Sequence, residues 1–183
     1  MEDTRQKLLE VLRKNSIAYG DFTLASGLKS TYYIDGKMTT FDGAGAYLVG
    51  EVILDMVRNM DKDIDSVGGP TMGADPIAAA VGISSHLRKD PIRIFAVRKK
   101  TKEHGRQKLV EGNFKEGDRV VIVEDVITTG GSIFQAIEAV EESGGTIEGV
   151  IVVVDRQQGG EKNLNDKGYT LHSIFKIDEV LEK

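Results

Sequence analysis

The chain has 183 residues, of which 40% are hydrophobic and 29% charged, with no cysteine and a formal net charge of −5. These values fit a globular domain able to bury its own core, and the lack of cysteine excludes disulfide frameworks and thiolate chemistry. No run of about 18 apolar residues offers a membrane span, the charged start Met1–Arg5 lacks the apolar core of a signal peptide, and the acidic balance counts against general nucleic-acid binding.

In chain order, Thr4 to Asn15 carries the stripe Leu8, Leu9, Val11 and Leu12 of an amphipathic helix. Phe22 to Ile34 reads as two short strands around the turn-rich Ser26-Gly27-Leu28-Lys29-Ser30. Ala44 to Met60 is a second helix, Ile64 to Val67 a strand, and Gly68 to Gly73 a loop. Pro76 to Leu87 is a helix and Ile92 to Val97 a strand. Arg119 to Glu124 is a strand and Ile133 to Ser143 a helix capped by Gly144-Gly145. Val150 to Val154 and Leu171 to Phe175 are the last strands, before a short helix from Ile177 to Leu181. Strand–helix alternation from residue 64 onward predicts right-handed crossovers, hence an α/β fold with an open parallel sheet flanked by helices. Residues 1–40 break that alternation and are expected to form much of a small N-terminal hood on a single domain spanning residues 1–183.

The most informative segment runs from Val120 to Ser132. Val120-Val121-Ile122-Val123 is a buried strand, Glu124 and Asp125 stand at its carboxyl end, and Val126-Ile127-Thr128-Thr129-Gly130-Gly131-Ser132 leads into a helix. A glycine-bearing loop between a parallel strand and a helix N-terminus suits a phosphate, because backbone N–H groups and the helix dipole supply partial positive charge there. The acidic pair would repel that phosphate, so it must serve another part of the same ligand. Sugar hydroxyls, or a divalent cation bridging the ligand, are the candidates.

Positive charge is concentrated between Arg98 and Lys108, where Arg98, Lys99, Lys100, Lys102, Arg106 and Lys108 surround His104 and only Glu103 opposes them. Such a run is often a solvated surface loop. Here it starts where the strand ending at Val97 stops, and loops beyond the carboxyl ends of parallel strands are where open α/β sheets bind ligands. An anion is therefore the expected partner.

Glu124 to Ser132 resembles the ribose-phosphate loop of the type I phosphoribosyltransferases, which use 5-phosphoribosyl 1-diphosphate. Three further segments are similar to the orotate-using branch of that family: Phe22 to Asp35 to its N-terminal signature, Arg98 to Gly105 to its catalytic loop, and Asp155-Arg156-Gln157-Gln158-Gly159-Gly160 to the segment carrying its orotate-binding arginine. The resemblance implies transfer of a phosphoribosyl group to N1 of orotate with loss of diphosphate. It assigns Glu124 and Asp125 to the ribose hydroxyls, and Val126, Ile127, Thr128, Thr129, Gly130, Gly131 and Ser132 to the 5′-phosphate. Arg98, Lys99, Lys102 and His104 would grip the diphosphate, with Lys102 and Asp125 as the catalytic residues. Thr128 and Arg156 would contact orotate, and Tyr32 or Tyr33 could flank its ring, although aromatics in a strand are more often core. For Arg156 the plain structural reading is a strand-end salt bridge with Asp155. Mg²⁺ is the implied cofactor, held mainly by substrate oxygens and water rather than directly by protein ligands. A cytoplasmic homodimer is also implied.

The sequence departs from the family twice, with Ala25 and Met72 where lysines often stand. Lys29, Thr71 or the amides of residues 68–73 are the candidate replacements. Two other readings stay in play: a phosphoribosyltransferase for a purine, disfavoured by Arg156 because a purine has no carboxylate, and a non-catalytic phosphoribosyl-diphosphate sensor that binds nucleic acid. A P-loop nucleotide-binding domain is disfavoured, since it would carry Gly-Lys-Ser/Thr in place of the acidic pair.

Overall fold

The computed structural model describes residues 2–23, 29–99 and 109–181. Its centre is a six-stranded sheet of order β5-β4-β3-β6-β7-β8, formed by β3 (Ser66–Pro70), β4 (Arg93–Val97), β5 (Val110–Gly112), β6 (Arg119–Ile127), β7 (Thr146–Asp155) and β8 (Leu171–Lys176). All neighbouring pairs are parallel except β4 with β5. That short antiparallel edge strand departs from the all-parallel expectation. Antiparallel pairing needs no helical crossover between two strands. A separate antiparallel hairpin, β1 (Ile17–Thr23) and β2 (Lys29–Ile34), makes up the second sheet.

Both faces of the large sheet are covered, which explains why its central strands read as continuous apolar runs rather than alternating ones. Val121 and Val123 of β6 and Ile151 and Val153 of β7 pack on one face with α1 (Glu2–Ser16), α3 (Gly43–Arg58) and α4 (Ala74–Leu87). Val120, Ile122, Val150 and Val152 point the other way, against α5 (Gly131–Glu142) and Leu164 of α6 (Gly160–Asn165). All eight are fully buried, as a period of two between two helical layers requires. Of the stripe expected for the first helix, Leu8, Leu9 and Leu12 join the first face, while Val11 is half-buried outside it. Arg5 fastens α1 to the chain's end by donating to Glu179 Oε1 at 2.6 Å and Ile174 O at 2.8 Å.

Several elements differ from the sequence expectation, among them β1, which begins at Ile17 rather than near Phe22. β3 extends to Pro70, because Gly68 and Gly69 pack tightly against Phe95 and Val123 and need no side chains to do so. β6 runs to Ile127, so both acidic residues lie inside a strand and not beyond it. Two short helices, α2 (Lys37–Thr40) and α6, have apolar patterns too brief to register as helical periodicity. The last helix, α7, spans Ile177–Val180 as expected.

Candidate functional site

The carboxyl ends of β3, β4, β6 and β7 converge, and the site is assembled from the chain that leaves them. Residues 71–73 follow β3, and Thr71 N–H donates to Val97 O at the end of β4 over 3.0 Å. Arg98 N–H donates to Leu109 O at 2.9 Å, which pins together the two ends of the basic loop. The β6–β7 register pairs Ile127 with Asp155, and Arg156 N–H donates to Ile127 O at 3.1 Å. Parallel pairing thus puts Arg156 beside the start of the phosphate loop.

Glu124 and Asp125 are each 7% exposed. Two glycines wall them in. A Cβ on Gly73 would lie 1.8 Å from Glu124 Oε1 and 2.6 Å from Asp125 Oδ1, and one on Gly36 would lie 2.9 Å from Asp125 Oδ2. A side chain at either position would require these carboxylates to shift. Ser132 Oγ donates to Glu124 Oε2 at 3.3 Å, tying the acid pair to the first turn of α5. Burial, reinforced by the charge of Asp125, pushes the Glu124 carboxyl up to about 8. Lys37 Nζ lies 2.7 Å from Asp35 Oδ1 and 3.8 Å from Asp125 Oδ2. Its hydrogen bond with Asp35 raises the ammonium above the usual lysine range, and the charge of Asp125 adds to this.

Val126 to Ile133 line a cavity of about 260 Å³ at the head of α5. Gly130 turns the chain with φ of +91°, a conformation that favours glycine, and delivers it into the helix. Thr129 is exposed and Thr128 half-buried, so their hydroxyls border this hollow together with that of Ser132. Asn163 of α6 buttresses the loop by donating Nδ2–H to Thr129 O at 3.0 Å. Backbone amides, hydroxyls and a helix N-terminus around one small hollow can hold a phosphate group.

Arg156 makes no ion pair with Asp155 among the described residues, and its Nε is buried without a hydrogen-bond partner. Its guanidinium carbon lies 5.7 Å from the centre of the Tyr32 ring. A buried, unsatisfied guanidinium donor costs free energy unless a ligand meets it. Tyr32 is half-buried and packs on the core, whereas Tyr33 is exposed and stacks near Phe22, with ring centroids 5.7 Å apart.

Of the basic run, Arg98 is half-exposed, with Nη1 3.8 Å from Glu111 Oε1, and Lys99 is exposed. Lys102 and His104 lie outside the described residues, as does Ala25. Lys29 is turned to Thr23 Oγ1 at 2.7 Å, and Met72 is 61% exposed. Sequence reading did not single out Lys37, Gly36 or Gly73. The Asp35-Gly36-Lys37 run and the glycine following Met72 were the available signals, but their partner, the acid pair, is distant in sequence.

A phosphate hollow beside buried carboxylates, at the carboxyl edge of a mostly parallel sheet, defines the class as an α/β protein that binds a phosphorylated sugar. Residues 43–179 match the family described as Phosphoribosyl transferase domain. An orotate phosphoribosyltransferase of Aquifex aeolicus is 42% identical over 180 residues, covering 97% of both chains. One from Streptomyces avermitilis is 45% identical over 164 residues, covering 90% of this chain and 89% of that one. The crystal structure of Mycobacterium tuberculosis orotate phosphoribosyltransferase in complex with 5-phospho-α-D-ribosyl 1-diphosphate superposes with a TM-score of 0.82 at 34% identity, over 97% of this chain and 98% of that one. The chain belongs to the type I phosphoribosyltransferase family, in its orotate phosphoribosyltransferase branch.

The raised Glu124 carboxyl has a measurable consequence. Between the ordinary value of 4.5 and about 8, the folded protein holds a proton that the unfolded chain releases, so raising the pH through that window removes stability. Glu124→Gln cannot ionise. Thermal melting should show the variant gaining on the parent as the pH rises from about 5 to about 8; parallel pH profiles would contradict the buried proton.

Proposed function

We propose that this chain is an orotate phosphoribosyltransferase, moving the phosphoribosyl group of 5-phospho-α-D-ribose 1-diphosphate to orotate and releasing diphosphate. The family membership supports the reaction. The observation that carries the acceptor is the buried Arg156 Nε without a partner, beside Tyr32. A guanidinium fork matches a carboxylate, which orotate has and purines lack.

In the reaction, the bond from ribose C1 to diphosphate breaks and a bond from C1 to orotate N1 forms, with inversion and loss of the N1 proton. Positive charge grows on the sugar ring and negative charge on the leaving group. Asp125 and Glu124 bind the ribose hydroxyls, and the Asp125 carboxylate stabilises the electron-poor ring. The amides of Val126, Ile127, Gly130 and Gly131 and the hydroxyls of Thr128, Thr129 and Ser132 hold the 5′-phosphate, which locks the sugar over the acid pair. Arg98, Lys99, Lys102 and His104 grip the diphosphate, and Lys102 meets the charge that develops as it departs. Arg156 and Thr128 orient orotate. The charge of the segment from Arg98 to Lys108 suits one that closes on the diphosphate and excludes water.

The site's polar groups are oxygen-rich, with two carboxylates and three hydroxyls, and such a set suits a hard cation such as Mg²⁺. Diphosphate and sugar oxygens and water would supply most of its ligands, beside Asp125 and Glu124, and when bound it neutralises phosphate charge.

The chain is read as one domain over residues 1–183, with residues 1–40 in much of the hood, acting in the cytoplasm as a homodimer. Met38, Phe41 and Tyr47, on α2 and around the start of α3, are each more than half exposed, which supports a covering partner surface. No helix among the described residues is long and apolar enough to cross a membrane. Nucleic acid is not an expected partner for so acidic a chain.

With Mg²⁺ and the donor present, diphosphate release should depend on orotate and not on uracil, adenine, guanine or xanthine; release with a purine alone would overturn the acceptor. Asp125→Asn should lower turnover about a hundredfold or more with the fold intact, and near-parental turnover would remove Asp125 from the chemistry. Arg156→Ala should raise the Michaelis constant for orotate by roughly tenfold or more while leaving the donor's unchanged; equal effects on both substrates would refute the carboxylate pairing.

A further inference from the structure

We infer that Asp155 is a specificity-determining positioning residue, which fixes the turn that aims Arg156 at the carboxylate of the acceptor base. This rests on the reading of Arg156 as the carboxylate's partner. Asp155 ends β7 with 1% exposure, an expensive place for a carboxylate. Its Oδ1 accepts the Gln157 N–H at 2.8 Å, the closure of an Asx turn.

Gln157 sits at φ of +55°, in the left-handed region. Asparagine and aspartate enter that region with help from their own short side chains, but glutamine does not. Something else must hold it there, and the hydrogen bond to Asp155 is the constraint the structure provides. Arg156 is therefore gripped on both sides. Its own N–H is fixed to Ile127 O at 3.1 Å, and the next N–H is fixed to Asp155. From the backbone fixed by these two bonds, the side chain runs across Tyr32 and leaves Nε buried without a protein partner. A two-pronged guanidinium–carboxylate pair tolerates little rotation, so a loosened turn costs acceptor affinity before anything else.

The turn can be loosened and restored in separate variants. Asp155→Ala should raise the Michaelis constant for orotate about tenfold, leave the donor's unchanged, and reduce selectivity for orotate over uracil. Asp155→Asn keeps an oxygen acceptor for the Gln157 N–H and should behave as the parent toward orotate. Adding Gln157→Gly to Asp155→Ala should recover most of the loss, because glycine takes a positive φ unaided. Gln157 is exposed, so Gln157→Val forces the same distortion without touching the core, and it gives the same readout should Asp155→Ala fail to fold. Parental orotate kinetics in Asp155→Ala or Gln157→Val would overturn the inference, as would Asp155→Asn matching Asp155→Ala or no recovery in the double variant. Arg156→Ala, assayed alongside, separates the two levels. If it leaves the orotate constant unchanged, the reading of the acceptor site falls; if it raises that constant while Asp155→Ala does not, only the role of Asp155 falls.

Discussion

Two carboxylates on consecutive residues, each 7% exposed, occupy the carboxyl end of β6, where they repel each other away from water. Most of the surrounding architecture is shaped by that placement. Gly36, leading from the hairpin into α2, and Gly73, at the start of α4, both approach so closely that a side chain there would displace the carboxylates. Lys37 brings a positive charge near Asp125, and Ser132 reaches back from α5 to Glu124. Burial first, and the charge of Asp125 second, raise the Glu124 carboxyl. The proposed ribose site gives this pair a use, since sugar hydroxyls can hydrogen-bond to carboxylates and the reacting carbon of a phosphoribosyl donor gains positive charge.

The same strand end must also hold an anion, and the fold separates the two demands along the chain. Acidic side chains project within β6, whereas the phosphate hollow begins a few residues later, from backbone amides and hydroxyls at the head of α5. Partial charges from amides attract phosphate without adding a full cation at the phosphate hollow. The base site joins them through sheet register. Ile127 lies opposite Asp155, and the strand hydrogen bond from Arg156 to Ile127 carries the guanidinium to the edge of the phosphate loop.

Much of this was legible from local pattern. The run Val120 to Val123, the threonines and the glycine pair announced a buried strand, a phosphate loop and a helix because each depends on neighbours within a few residues. The stripe on α1 and the helix ending before Gly144 were legible for the same reason. The extension of β6 through Ile127 was hidden, since two adjacent carboxylates read as the end of a strand, and the segments that close over them, at Gly36 and Gly73, are distant in sequence. The antiparallel β5 was hidden too, being three residues long without an alternating pattern. Lys37 had no local mark of function, for its partner Asp125 is remote in sequence.

The order of residues by itself determined the α/β class, the sugar-phosphate loop and the concentration of basic charge after β4, because these follow from periodicity, composition and short motifs. Only the tertiary structure decided that burial raises the Glu124 carboxyl, that Lys37 stands beside Asp125, and that Arg156 is left with a buried donor facing no carboxylate of its own. Burial, sheet register and close backbone approach are properties of segments brought together from across the chain. They set the dielectric and the partners of a charge, which the identity of that residue leaves open.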